Sequence, residues 1–242
     1  MTSDESPIDE LETVAASAAR MLPAESRPPE LEAHLRGFLA LLLERNREVN
    51  LVSRRDTEQH VARFSRECLF LARILLDERQ RRPDPKGAPR LLDIGSGNGF
   101  PGILLKLAIP DLEIHLVEGT RKKARFLAEV AERLELRDTS VLWARAEVLA
   151  RTKGGDSTPD LRRRFDWVTG KGLGSLRAST ELAGPFLVPG GVHWTFKGKA
   201  CKEEIEAASG LFRQRGFAVH RTEPIPDSED SWVVGVRRLA RS

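Results

Sequence analysis

The chain has 242 residues, 40% of them hydrophobic and 31% charged, with a formal net charge of +3. That length suits one sizeable α/β domain with an extension, and the apolar run FLALLL near the start is too short to cross a bilayer. MTSDESPIDELE lacks the basic-then-apolar order of a signal peptide, and two cysteines without metal-ligand spacing, Cys68 and Cys201, fit a reducing cytoplasm.

Residues 1–32 carry eight acidic and two basic side chains, which leaves the rest of the chain at +9. Basic clusters recur there: RQRR at 79–82, RKKAR at 121–125, RRR at 162–164 and RR at 237–238. They suit a polyanion, nucleic acid first, and equally suit solvated helix faces.

In chain order, residues 1–27 read as an acidic tail, mobile or loosely helical. Residues 28–80 form a helical module. Leu31, Leu35, Phe38, Leu39 and Leu42 fall on one face at helical spacing, and Val61, Phe64, Cys68, Leu71 and Leu75 trace a second stripe. Asp56 with Gln59 resembles a capping box opening the second helix, and Cys68 is a core residue by this pattern. RRPDPKGAP at 81–89 is a linker.

Beyond it, residues 90–242 alternate strands and helices. Apolar strands read at RLLDIG, EIHLVEG, SVLWAR, FDWVTG, GVHWTFKG, FAVHRT and SWVVGVRR, with helices at 120–136 and 201–212. This predicts an α/β, doubly wound and mostly parallel sheet. The last two strands are joined only by EPIPDSED and are expected to pair antiparallel. All four tryptophans fall in these strands and are expected in the core. The five histidines have no metal spacing, so no metal site is expected.

The chemistry concentrates in LLDIGSGNGFPG, residues 91–102, directly behind the first strand of the sheet. In an open α/β sheet, ligands bind at the carboxyl ends of the strands. Gly95, Gly97 and Gly99 permit a tight turn and a close approach of backbone to ligand. A nucleotide triphosphate loop would end in Gly-Lys-Ser/Thr, which is missing. A dinucleotide fingerprint is available from Gly97, Gly99 and Gly102, with Glu118 following Gly97 by 21 residues. Asp93, placed before the glycines, favours instead a cationic ligand such as a sulfonium.

LLDIGSGNG resembles the first motif of class I S-adenosylmethionine-dependent methyltransferases. That resemblance implies a Rossmann-like, seven-stranded, mostly parallel sheet with an antiparallel C-terminal hairpin. It also implies an acidic residue facing the methionine end of the cofactor, here Asp93, and a second carboxylate, Glu118, on the ribose hydroxyls. GFPGI, PDL, LVE, KKARFL, ARAEVL, FDWVTGKGLGSL, LVPGG and FKG, in that order, resemble the bacterial 16S ribosomal RNA guanine-N7 methyltransferase family, also called glucose-inhibited division protein B. The likeness runs from about residue 30 to 240.

The resemblance implies cofactor contacts at Gly95, Gly97 and Phe100, at Ala146 and Glu147 near the adenine, and at Lys171. By pattern alone, Phe100 is equally a core residue and Glu147 a surface one. Lys171 stands where the family has arginine, which keeps the charge but loses the planar fork. The family's Trp-Asn pair appears as Arg45-Asn46, and its Arg-His…Asp-Ser stretch as Arg63-Phe64…Glu67-Cys68. Lys197 and Lys199 are candidate phosphate contacts. No catalytic base is assigned, because guanine N7 has a free lone pair and no proton to remove.

The expected partner is 16S rRNA or the small ribosomal subunit, without a membrane, and the enzyme is expected to be a monomer. The alternative expectation is a cofactor-binding assembly or RNA-binding protein with a different or lost methyl acceptor.

Overall fold

A computed structural model describes residues 7–53, 55, 57–81, 87–154, 159–228 and 230–240. Asp56 of the capping box and residues 82–86 of the linker lie outside the described residues.

Three helices come first: α1 (Pro7–Ala19), α2 (Leu31–Val49) and α3 (Thr57–Gln80). The described part of the acidic segment is helical and has a buried face. Ala15, Ala18, Ala19 and Leu22 repeat at i, i+3, i+4 and i+7 and are at most 2% exposed. Three of the four are alanines, so α1 packs closely on α2 and α3.

The α2 stripe predicted from spacing is buried, from Leu31 to Leu42. Asn50 ends the helix in the left-handed region, at φ 54°. Buried Asn46 accepts the backbone N–H groups of Leu51 and Val52 at 2.7 and 2.9 Å, holding the turn into α3. Cys68 is fully buried on α3, as its place in the second stripe predicts, and burial pushes its thiol pKa up.

Seven strands follow: β1 (Arg90–Ile94), β2 (Glu113–Glu118), β3 (Thr139–Trp143), β4 (Phe165–Gly170), β5 (Leu187–Lys197), β6 (Phe217–Pro224) and β7 (Trp232–Arg238). They lie in the order β3-β2-β1-β4-β5-β7-β6. Strands β1 to β5 run parallel to one another; β7 is antiparallel to both β5 and β6. The remaining helices are α4 (Gly102–Ala108), α5 (Arg121–Arg133), α6 (Ala146–Arg151), α7 (Leu176–Ala183) and α8 (Cys201–Gln214).

Period-two alternation sorts the strand side chains between two faces. Leu91, Ile114, Leu116, Trp167 and Trp194 join one core with α2, α3, α4 and α5. Leu92, Ile94, Val117 and Val168 join another with α6 and α7. The N-terminal helices are therefore part of the layer covering the sheet, with α3 against α4 and α2 against both α4 and α5. Arg45 reinforces that seam with two hydrogen bonds to Glu129 of α5, at 2.9 and 2.7 Å.

The tryptophans divide. Trp167 and Trp194 are buried, Trp232 is half-buried, and Trp143 is 60% exposed. The core expectation fails for Trp143 because β3 is an edge strand of the sheet and this residue is its last. No helix among the described residues is long and apolar enough to cross a membrane.

Candidate functional site at the carboxyl edge of the sheet

The four parallel strands β1 to β4 end along one rim, and the turn behind β1 is its centre. Two backbone hydrogen bonds, from Gly95 and Ser96 to the Val117 carbonyl at 2.8 and 3.1 Å, fold the turn across the end of β2. Glu118 then clamps it. One carboxylate oxygen accepts the Gly97 N–H at 2.9 Å and the other the Thr120 N–H at 2.6 Å. Gly97 sits at φ 48°, and a Cβ there would come within 3.7 Å of the Glu118 carboxylate. A carboxylate has about four acceptor positions, so Glu118 keeps capacity for ligand hydroxyls while holding the loop.

Asp93 lies beneath this turn, fully buried. It accepts the Thr169 hydroxyl at 2.9 Å and the Gly102 N–H at 3.3 Å. A Cβ on Gly102 would stand 2.7 Å from the same carboxylate and 2.5 Å from Leu116, so only glycine fits where α4 starts. Desolvation pushes the Asp93 pKa up to about 6, against the pull of its hydrogen bonds. Its oxygens are turned inward to Thr169 of β4 and Gly102 of α4, so the carboxylate lies beneath the loop. Thr169 was not picked out in the sequence reading; a hydroxyl inside the buried strand FDWVTG was the available signal.

The other expected contacts fall on the same rim with one qualification each. Gly95 is exposed. Ala146 is buried and Glu147 exposed in the first turn of α6, next to β2, where the Ala144 N–H donates to the Glu118 carbonyl at 3.1 Å. Phe100 is 3% exposed, its ring against Phe38 and Phe64 at centroid distances of 5.4 and 5.8 Å. Its side chain is thus core, which leaves the backbone for any ligand contact.

Lys171, just beyond β4, turns to α3. Its ammonium pairs with the Glu67 carboxylate and lies 3.5 Å from the Phe64 ring centroid and 5.1 Å from that of Phe196. Phe64, Glu67 and Lys171 therefore meet in space, and Cys68 is close enough to feel the Lys171 charge. Of the candidate phosphate contacts, Lys197 is corrected: it is 7% exposed and committed to Glu204 and the Gly174 carbonyl at 2.9 and 2.7 Å. The Lys199 side chain is 82% exposed, 3.1 Å from Asp230.

The sheet order, the single antiparallel strand β7 and the glycine turn clamped between two strand-end carboxylates define a Rossmann-like α/β fold with a ligand rim at the carboxyl ends of its strands, and the family match below makes it a methyltransferase. Residues 31–227 match the family described as GidB, rRNA small subunit methyltransferase G, and the chain belongs to that family. Ribosomal RNA small subunit methyltransferase G of Chloroflexus aggregans is 36% identical over 211 residues, covering 86% of this chain and 82% of that one. The protein of the same name from Sorangium cellulosum is 37% identical over 194 residues, covering 80% and 75%. Among solved structures, a candidate sarcosine dimethylglycine methyltransferase from Galdieria sulphuraria aligns with a TM-score of 0.52 at 12% identity, over 75% of this chain and 88% of that one, a likeness of fold.

Proposed function

We propose that the protein methylates guanine N7 in 16S ribosomal RNA, using S-adenosylmethionine, as a cytoplasmic monomer. The observation that carries this reading is the Glu118 clamp on Gly97, in a chain of the rRNA small subunit methyltransferase G family. The donor set suits the cofactor: a carboxylate with spare acceptor positions for ribose hydroxyls, glycine backbone open to close approach, and a buried anion, Asp93, under the loop.

When bound, S-adenosylmethionine supplies a sulfonium-held methyl group whose transfer to a ring nitrogen releases a neutral thioether. Glu118 would hold the ribose, Gly95 and Gly97 would leave room along the backbone, and Ala146 with Glu147 would border the adenine. The Phe38–Phe100–Phe64 stack would keep the glycine turn rigid from behind, and Lys171, with Glu67, would fix the wall beyond β4. No side chain needs to take a proton, because N7 carries none. The enzyme's contribution is then alignment and exclusion of water, which supply on the order of 7–11 kcal/mol in well-oriented reactions.

Mapping modified nucleotides in 16S rRNA from cells with and without the protein tests this. The expected result is one 7-methylguanosine that disappears with the protein. An unchanged map, with the cofactor still bound by the purified chain, would favour an assembly role.

A further inference from the structure

Trp143 is a large apolar side chain held in the open. Its indole is 60% exposed at the end of β3, yet it is fixed in place, because Nε1–H donates to the Gly119 carbonyl at 3.1 Å. Trp143 is the direct partner of Glu118 across β2 and β3, so the ring stands on the cofactor rim. The Arg121 guanidinium lies 5.2 Å from its centroid, and the exposed Arg145 runs its side chain over Gly119.

The charges beside it are placed against local helix stability. Arg121, Lys122 and Lys123 occupy the first turn of α5, which holds no acidic residue, and Arg125 follows on the exposed side. Cations there oppose the helix dipole. Among the described residues none of these four, nor Arg145, has an ion pair, whereas Arg45, Arg79, Arg162 and Arg221 all do. A fixed aromatic face amid unpaired cations is complementary to a base with its phosphates: stacking on an aromatic side chain tolerates any base, and cations take the backbone.

We propose that Trp143 is a stacking platform for an unpaired nucleotide of the RNA substrate, flanking the target guanine, with the Arg121–Arg125 turn and Arg145 holding the adjoining phosphates. This rests on the rRNA reading above. An acidic protein surface is the competing occupant, and the cofactor's own adenine is the competing source of a purine ring.

The test uses the full chain with Trp143→Ala, Trp143→Phe and the Arg121→Glu/Lys122→Glu double variant. Affinity for a labelled single-stranded RNA decamer is measured against salt, affinity for S-adenosylmethionine is measured by calorimetry, and methyl transfer to small-subunit rRNA is followed in parallel. Trp143→Ala is expected to weaken RNA binding about tenfold, with Trp143→Phe recovering most of it. The double variant is expected to flatten the salt slope by about one to two. Cofactor affinity is expected to stay unchanged throughout, which also controls for folding.

RNA affinity unchanged in Trp143→Ala, while the wild type still methylates rRNA, would overturn the platform alone and leave the rim to a protein partner. Cofactor affinity falling in step with RNA affinity would assign the ring to the adenine instead. A wild type that neither binds nor methylates RNA would overturn both the platform and the reading beneath it.

Discussion

Lys171, beyond the end of β4, is ion-paired with Glu67 of α3, 104 residues earlier in the chain. The Phe64 ring, one turn before Glu67, lies under the same ammonium. The pair ties the N-terminal helices to the rim at the carboxyl ends of the strands.

Lys171→Ala is expected to destabilise the protein by roughly 2 kcal/mol, because it leaves the Glu67 side chain, 7% exposed, with only the Arg63 guanidinium, 3.7 Å away, as a cationic partner. Lys171→Met with Glu67→Gln removes both charges and is expected to cost less than Lys171→Ala alone. Chemical denaturation of the single and double variants reads the coupling. Additive losses would mean that the two residues act independently.

Glu118→Gln replaces one acceptor oxygen with an NH₂ group that must face either the Gly97 or the Thr120 N–H. Both the loop and the ribose site suffer. Calorimetry is expected to give at least a tenfold loss of S-adenosylmethionine affinity, about 1.4 kcal/mol, with the fold retained by circular dichroism.

Phe38 is fully buried, stacks edge-on to Phe100, and stands where a Cβ on Gly99 would come within 3.0 Å. Phe38→Ala is expected to cost roughly 3–5 kcal/mol of stability and to weaken cofactor binding, because the glycine turn loses its backing. Urea unfolding with and without S-adenosylmethionine separates the two effects.

The Asp93 carboxyl, raised to about 6 by burial, is charged at pH 7.5 and neutral at pH 5. Its folded pKa lies above the ordinary aspartate value of 3.8, so its contribution to stability is present below 3.8 and is lost as pH rises through about 6. Ligand binding is expected to run the other way. Acidification through pH 6 removes the negative charge beneath the loop. The preference for cationic S-adenosylmethionine over its neutral demethylated product should therefore fall, while the ribose contacts common to both stay. Titration calorimetry of both compounds from pH 5 to 7.5 checks this; a constant ratio would mean that Asp93 does not sense the ligand's charge.

The sheet was legible because most strands are short apolar runs ended by glycine or a charged residue, as β1, β2, β4, β5 and β7 are, and LLDIGSGNG marks the ligand edge by itself. Local pattern could not show that β3 lies outermost, since strand order depends on long-range pairing, and so Trp143 read as core. The α1 stripe was hidden for a different reason: Ala15, Ala18 and Ala19 add little hydrophobicity, yet their small size permits the close packing that buries them. Lys171 was marked by its place at the strand end. Its partner lies on a helix read as a separate module, and only the packing of α3 on α4 brings the two together. Lys197 looked free in FKGK because Glu204, its partner, sits a helical turn into α8.

The most direct measurement is transfer of labelled methyl from S-adenosylmethionine to small-subunit rRNA by the purified chain, followed by nucleoside analysis of the product. The expected result is label in 7-methylguanosine at one site, absent with Glu118→Gln. Label in any other nucleoside, or none despite tight binding of the cofactor, would contradict the account.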